Sequence, residues 1–240
     1  GQTTINIELL SFGDGSILHG STRFSTAKNW IEADLAGNLR PHSLLFDPGR
    51  PWAEPLAAMR FQKPLSLKMK LPRSPLSDLQ TWHGQVQLDG GPIWYRRVYL
   101  PSATVRATVR PRRMDIAEFS VRVGRHGSEY AEGHAAFDVL GKQFSGEITA
   151  AISPATFREA FPDIFRRLPA AKNDVTFKNA PPVFTIKAED SGFSPEAWNA
   201  TIRIRAEDLL FRKMPVKNIS GTLQLRKHQI ATTADRKSVV

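Results

Sequence analysis

The chain has 240 residues, of which 41% are hydrophobic and 23% charged, a globular balance that excludes a disordered chain. Cysteine is absent, which excludes disulfides and thiolate metal sites, and no run approaches the roughly 20 apolar residues of a membrane helix. A net charge of +10 favours anionic partners such as nucleic acid, anionic lipid or acidic polymers.

In chain order the dominant period is two, the spacing at which side chains alternate between the faces of a sheet. Ile5, Ile7 and Leu9 alternate with Asn6 and Glu8, and Ile31, Ala33, Leu35, Gly37 and Leu39 with Glu32, Asp34 and Asn38. A short helix is predicted over about 52–59, with Trp52, Leu56 and Met59 on one side. Alternation resumes at Leu65, Leu67, Met69 and Leu71, then at Trp82, Gly84, Val86 and Leu88. Val105, Ala107 and Val109 run against Arg106, Thr108 and Arg110, and Phe119, Val121 and Val123 against Ser120 and Arg122. Phe144, Gly146, Ile148, Ala150 and Ile152 form the next such run.

Ser153 and Pro154 then make a cap and first-turn pair for a second helix, over 153–168. Its stripe is Phe157, Phe161, Ile164, Phe165 and Leu168, interrupted by the helix breaker Pro162. Ala200, Ile202 and Ile204 close the series of strands. The expected fold is mainly β, with one apolar and one wet face as in antiparallel meanders.

The pattern also repeats. Trp82 aligns with Trp198 at a spacing of 116, which sets Val86 on Ile202, Leu88 on Ile204, Tyr95 on Phe211 and Val109 on Leu225. Upstream, the same spacing sets Phe61 on Phe177 and Leu67 on Val183. At a spacing of 113, Gly20 meets Gly133, Phe24 meets Phe137, Leu35 meets Ile148 and Pro41 meets Pro154. Two repeats of an amphipathic antiparallel β unit are therefore expected, forming a curved, groove-like sheet with short connector helices. Residues 1–60 would end a first repeat with its helical connector, 61–170 would be a complete repeat ending in a short helix, and 171–240 would start a further, truncated one. One continuous β structure is the alternative. The chain opens inside a strand-like run, so it reads as a piece of something longer.

Trp82-His83-Gly84-Gln85-Val86-Gln87-Leu88, Tyr95-Arg96-Arg97-Val98-Tyr99-Leu100 and the alternation from Ala103 to Val109 carry a resemblance. Gly133-His134-Ala135-Ala136-Phe137-Asp138, Phe144-Ser145-Gly146 and the helix start at Pro154 add to it. Together they resemble the AsmA-like and TamB-like proteins of Gram-negative envelopes. The resemblance implies a periplasmic segment of a larger chain anchored in the inner membrane. Its repeated β segments would form an open groove that passes phospholipid, or another envelope lipid, in outer-membrane biogenesis. It supplies no catalytic residues and no cofactor.

On the residues alone, the apolar strand face is the candidate functional surface: Val86, Leu88, Val105, Ala107, Val109, Ile148, Ile202 and Ile204. A closed sandwich would bury the same alternation as plain core. The opposite face would offer Lys68, Lys70, Arg106, Arg110, Arg203 and Arg205 to an acidic polymer, a partner protein or an anionic membrane surface, and an open sheet edge could take a partner strand instead. Nucleic acid is not expected, since no recognised RNA- or DNA-binding motif is present.

No enzyme is expected either. The histidines His19, His42, His83, His126, His134 and His228 lack metal-ligand spacing, so no metal site is read. Glu207 and Asp208 are neighbours on a strand and would point to opposite faces. Neither a nucleophile elbow, a Walker A motif nor a dinucleotide fingerprint occurs.

Overall fold

The computed structural model describes residues 3–11, 15–40, 57–138, 141–160, 162, 175–177, 180–192, 197–211, 213–226 and 229–235. These form β1 (Thr3–Ser11), β2 (Ile17–Ser25), β3 (Trp30–Leu39), β4 (Met59–Phe61), β5 (Leu65–Pro75) and β6 (Gly84–Gly90). Then follow β7 (Ile93–Tyr95), β8 (Val98–Leu100), β9 (Ser102–Val109), β10 (Arg113–Val123), β11 (Glu129–Asp138) and β12 (Gln143–Ala151). The helix α1 (Pro154–Ala160) leads to β13 (Val175–Phe177), β14 (Val183–Gly192), β15 (Asn199–Phe211), β16 (Met214–Arg226) and β17 (Gln229–Asp235). The protein is mainly β.

One 14-stranded sheet runs β1-β2-β3-β5-β6-β9-β10-β11-β12-β14-β15-β16-β17, with β13 attached to β15. Every ladder is antiparallel, and the sheet is open because β1 and β17 are not partners. It continues without a break across all three segments proposed from the sequence. A separate three-stranded sheet, β4-β7-β8, stands beside it.

Some pairs of the ladders stand at the spacings read from the sequence. Gly20 pairs with Leu35 and Gly133 with Ile148; Phe24 pairs with Ile31 and Phe137 with Phe144. Met59 pairs with Tyr95 and Phe61 with Ile93, while Val175 pairs with Phe211 and Phe177 with Leu209. The alignment of Leu67 with Val183 is off by one residue. Leu67 pairs with Leu88 on the apolar side, and the strand position facing Ile204 is Phe184, not Val183. Trp82 and Trp198 both sit just ahead of strands, β6 and β15.

Proline explains the main difference between the two stretches. Pro92 has no N–H to give a ladder, and Pro101 none to return. The chain therefore breaks after β6, and β7 and β8 leave for the small sheet. At the matching positions stand Asp208 and Lys217, whose backbones can donate. β15 and β16 accordingly run on, with Asp208 opposite Lys217.

Ala57 and Pro154–Ala160 are helical, within the two helices that the sequence predicts. Met59, expected on a helix, lies in β4, because its partner is the strand residue Tyr95; residues 51–56 lie outside the described residues. A 3-10 turn at Leu79–Thr81 was not anticipated. α1 follows the expected cap: the Ser153 hydroxyl accepts from the Thr156 amide at 3.2 Å. Its continuation to 168 also lies outside the described residues, apart from Pro162. Ser153→Ala should lower stability by about 1 kcal/mol, read as a shifted urea midpoint at unchanged slope.

Candidate functional site

Register decides what each face presents. On one face, successive Cα partners from β2 to β16 are Leu18, Gly37, Leu67, Leu88, Val105, Phe119, Gly133, Ile148, Ile186, Ile202 and Leu223. Two residues along each strand, or three across the bulge of β10, the next row reads Gly20, Leu35, Met69, Val86, Ala107, Ile116, Ala135, Gly146, Ala188, Ala200 and Leu225. Neither row contains a polar side chain. A third row begins at Ala103 and continues through Val121, Ala131, Ala150, Phe184 and Ile204.

All eight apolar candidates fall on this face. Val86 and Ala107 share a row, as do Leu88, Val105, Ile148 and Ile202; Ile204 stands in the third row, and Val109 at the far end of β9. Seven are half-buried and Val109 is 42% exposed. A second sheet packed at about 10 Å would bury such residues fully. Half-burial is what in-plane neighbours alone provide. The buried cluster of Leu18, Leu39 and Leu67, with Val86 and Leu88 against it, is likewise made within the sheet. Among the described residues a second cluster forms near Val121 and Val123, where Val98 of β8 and Ala160 of α1 pack.

The opposite face carries the cations, but it is not of one sign. Lys68, Gln87, Arg106 and Glu118 form one row, and Asp34, Lys70, Gln85, Thr108 and Asp115 another. Further along, Glu132, Thr149, Thr185, Arg203 and Thr222 follow. Arg106 pairs with Glu118 at 2.9 Å. Arg203 and Arg205 are exposed on β15, while Arg110 lies one residue past β9, in the hairpin turn rather than on a strand. There Arg110 and Arg113 exchange backbone hydrogen bonds, which ends the strand's alternation.

Lys187 and Glu189 bond at 2.7 Å, fully exposed. That hydrogen bond and the opposite charge hold Glu189 below the usual carboxylate range and Lys187 above the usual lysine range. The Glu189 contribution is present above its unfolded-state value and is lost as pH falls through the lowered one. The Lys187 contribution is present below the unfolded lysine value and is lost as pH rises through the raised one. In full solvent the pair is a minor effect.

What sequence reasoning missed is the glycine pattern inside the apolar rows. A Cβ on Gly20 would meet the Asp34 carbonyl oxygen; on Gly133, that of Glu147; on Gly146, that of His134. Backbones approach closely there, and such glycines let a sheet coil tightly. Glycine interrupting a period-two apolar run was the available signal.

Comparison with known proteins finds no matching family model, no matching curated protein and no matching solved structure.

Proposed function

We propose that this chain is a non-enzymatic periplasmic segment of an AsmA-like envelope protein that binds or conducts phospholipid along its apolar β face. The observation that carries this reading is the pair of apolar rows, continuous from β2 to β16 and mostly half-buried, with Leu18, Leu67, Ala188 and Ala200 buried. Burying one methylene contributes about 0.8 kcal/mol, so a chain of roughly fifteen needs on the order of 12 kcal/mol of apolar contact to leave a bilayer. A wall of Leu, Val, Ile and Phe can supply that contact; a polar wall cannot. At about 4.8 Å per strand the rows span on the order of 50 Å. That exceeds the hydrocarbon thickness of a whole bilayer, about 30 Å, so the face is long enough to pass a lipid from place to place. Apolar contact is non-directional, so acyl chains would be held with little selectivity.

The competing reading, a general polyanion-binding module on the basic face, has less support. Carboxylates stand beside the cations over most of that face, as Glu118 does beside Arg106.

The test is lipid uptake. Purified protein incubated with vesicles of mixed phosphatidylethanolamine and phosphatidylglycerol should retain lipid stoichiometrically and move it to acceptor vesicles. Mass spectrometry should recover that lipid chemically unchanged. Lipid at the level of an inert control protein, with no transfer, would defeat the reading.

A further inference from the structure

We propose that the outer face of the small sheet β4-β7-β8 docks the protein on an anionic bilayer surface, with Trp94 and Tyr99 at the headgroup level and Arg60, Arg97 and Arg125 on lipid phosphates. Register makes this face. Arg60, Trp94 and Tyr99 are successive Cα partners across the three strands. The flanking rows, Met59-Tyr95-Val98 and Phe61-Ile93-Leu100, point the other way. There Ile93 and Val98 are buried, and Tyr95, Val98 and Leu100 pack with Val121, Val123 and Ala160. The row of Arg60, Trp94 and Tyr99 therefore looks away from the main sheet.

Charge on this unit is of one sign, unlike the polar face of the main sheet. Arg96 and Arg97 form the two-residue loop between β7 and β8, and both are exposed. Arg96 takes a φ of 54°, where such a loop usually carries Gly or Asn, and its N–H donates to the Ala58 carbonyl at 3.0 Å. A bulky cation is thus held where the backbone is strained. Exposed Lys63 follows β4. The Gly124 N–H donates to the Tyr99 carbonyl at 2.8 Å, which sets the exposed Arg125 beside β8. No residue of 57–66, 90–103 or 119–128 is acidic. Of the neighbouring elements, α1 carries Glu159 next to Arg158, and β11 opens on the half-buried Glu129. The acids of β10, Asp115 and Glu118, are taken by Arg113 and Arg106.

The residue types name the occupant. Trp and Tyr combine an apolar body with a polar tip and settle where hydrocarbon meets headgroups. Arginine grips phosphate through a planar fork of donors. Aromatic rings among clustered cations also occur where single-stranded nucleic acid binds, but there the rings serve as platforms for successive bases. Here the Trp94 and Tyr99 rings lie 5.1 Å apart and tilted by 56°, each covering part of the other, so they offer no such platform. Charge complementarity and the aromatic pair together favour a bilayer of anionic lipid. Docking does not rest on the lipid-carrying reading, since it requires no lipid to leave the membrane.

Co-flotation of the whole chain with vesicles tests it. The protein should float with vesicles of phosphatidylcholine and phosphatidylglycerol, and not with phosphatidylcholine alone. Binding should vanish at about 1 M salt, where the screening length is about 3 Å. Arg60→Ala/Arg97→Ala changes two exposed side chains and should weaken binding by roughly tenfold or more. Lys68→Ala/Lys70→Ala removes the same charge from the main sheet, again at exposed positions, and should change it by less than about twofold. Trp94→Leu keeps apolar bulk but loses the indole N–H, and should weaken binding by roughly threefold or more. An unaltered urea midpoint would show that this last variant is folded. No flotation, equal flotation with both vesicles, or equal weakening in the two double variants would overturn the docking face. Unchanged flotation of Trp94→Leu would overturn the role of the aromatic pair. Binding of a single-stranded oligonucleotide that Arg60→Ala/Arg97→Ala abolishes, with no vesicle binding, would replace the bilayer by nucleic acid. Flotation is read separately from lipid uptake, so a protein that floats and retains no lipid defeats only the lipid-carrying reading.

Discussion

Ala107→Asp should abolish lipid pickup while leaving the fold nearly as stable as before. Ala107 stands between Val86 and Ile116 in an apolar row and is half-buried. The substitution removes only a methyl group from that row, so little packing is lost. On a single-layered face the new carboxylate reaches water while lipid is absent, and the stability change should stay near about 1 kcal/mol. A bound acyl chain would strip that water away. Desolvating an unpaired polar group costs about 2–7 kcal/mol, so affinity should fall by roughly thirtyfold at least. In a closed sandwich the same carboxylate would be buried permanently, and several kcal/mol of stability would disappear. Thermal unfolding beside a transfer assay separates the cases: a collapsed protein argues for plain core, a stable protein with undiminished transfer argues against the lipid face.

The strand-rich fold was legible because period-two alternation is local. Leu65, Leu67, Met69 and Leu71 announce β5 without knowledge of its neighbours. Face assignment is a different matter, since it depends on partners. Residues 183–188 divide into a mixed set, Val183 with Thr185 and Lys187, and an apolar one, Phe184 with Ile186 and Ala188. Matching Leu67 to Val183 chose the first set. The ladder chooses the second, because Phe184 lies opposite Ile204 and Ile186 opposite Ile202. A one-residue slip moves a strand's whole apolar set to the other face; Thr185 and Lys187, which share a face with Val183, were the local sign against it.

Short elements were the least legible. β4 and β13 are three residues each, too few to display a period, and Met59 was read into a helical stripe instead. Their placement comes from pairing with residues 93–95 and 209–211, far along the chain. The candidate apolar face was fully legible as a set of residues, and its half-burial was not. Alternation states which side is apolar; whether anything covers that side is decided by tertiary structure.

Gly133→Val should be among the most damaging single substitutions in the sheet. Gly133 lies in an apolar row between Phe119 and Ile148, where valine would by propensity be welcome. Space forbids it: an added Cβ would meet the carbonyl oxygen of Glu147, with the Glu147 carbonyl carbon and the Ile148 Cα close behind. These are backbone atoms of the adjacent strand and cannot turn aside as a side chain could. β12 would have to move away, with loss of its hydrogen bonds to β11. A cost of about 2–4 kcal/mol is expected. Gly20, paired with Leu35 as Gly133 is with Ile148, should behave alike, since its Cβ would meet the Asp34 carbonyl oxygen. Gly84→Val is the control. A Cβ there has nothing within 4 Å and the backbone needs no left-handed conformation, so the added β-branched side chain should be neutral or slightly stabilising. Urea unfolding of the three variants reads the contrast directly. Should Gly133→Val unfold at the same midpoint as Gly84→Val, the close strand approach would be refuted.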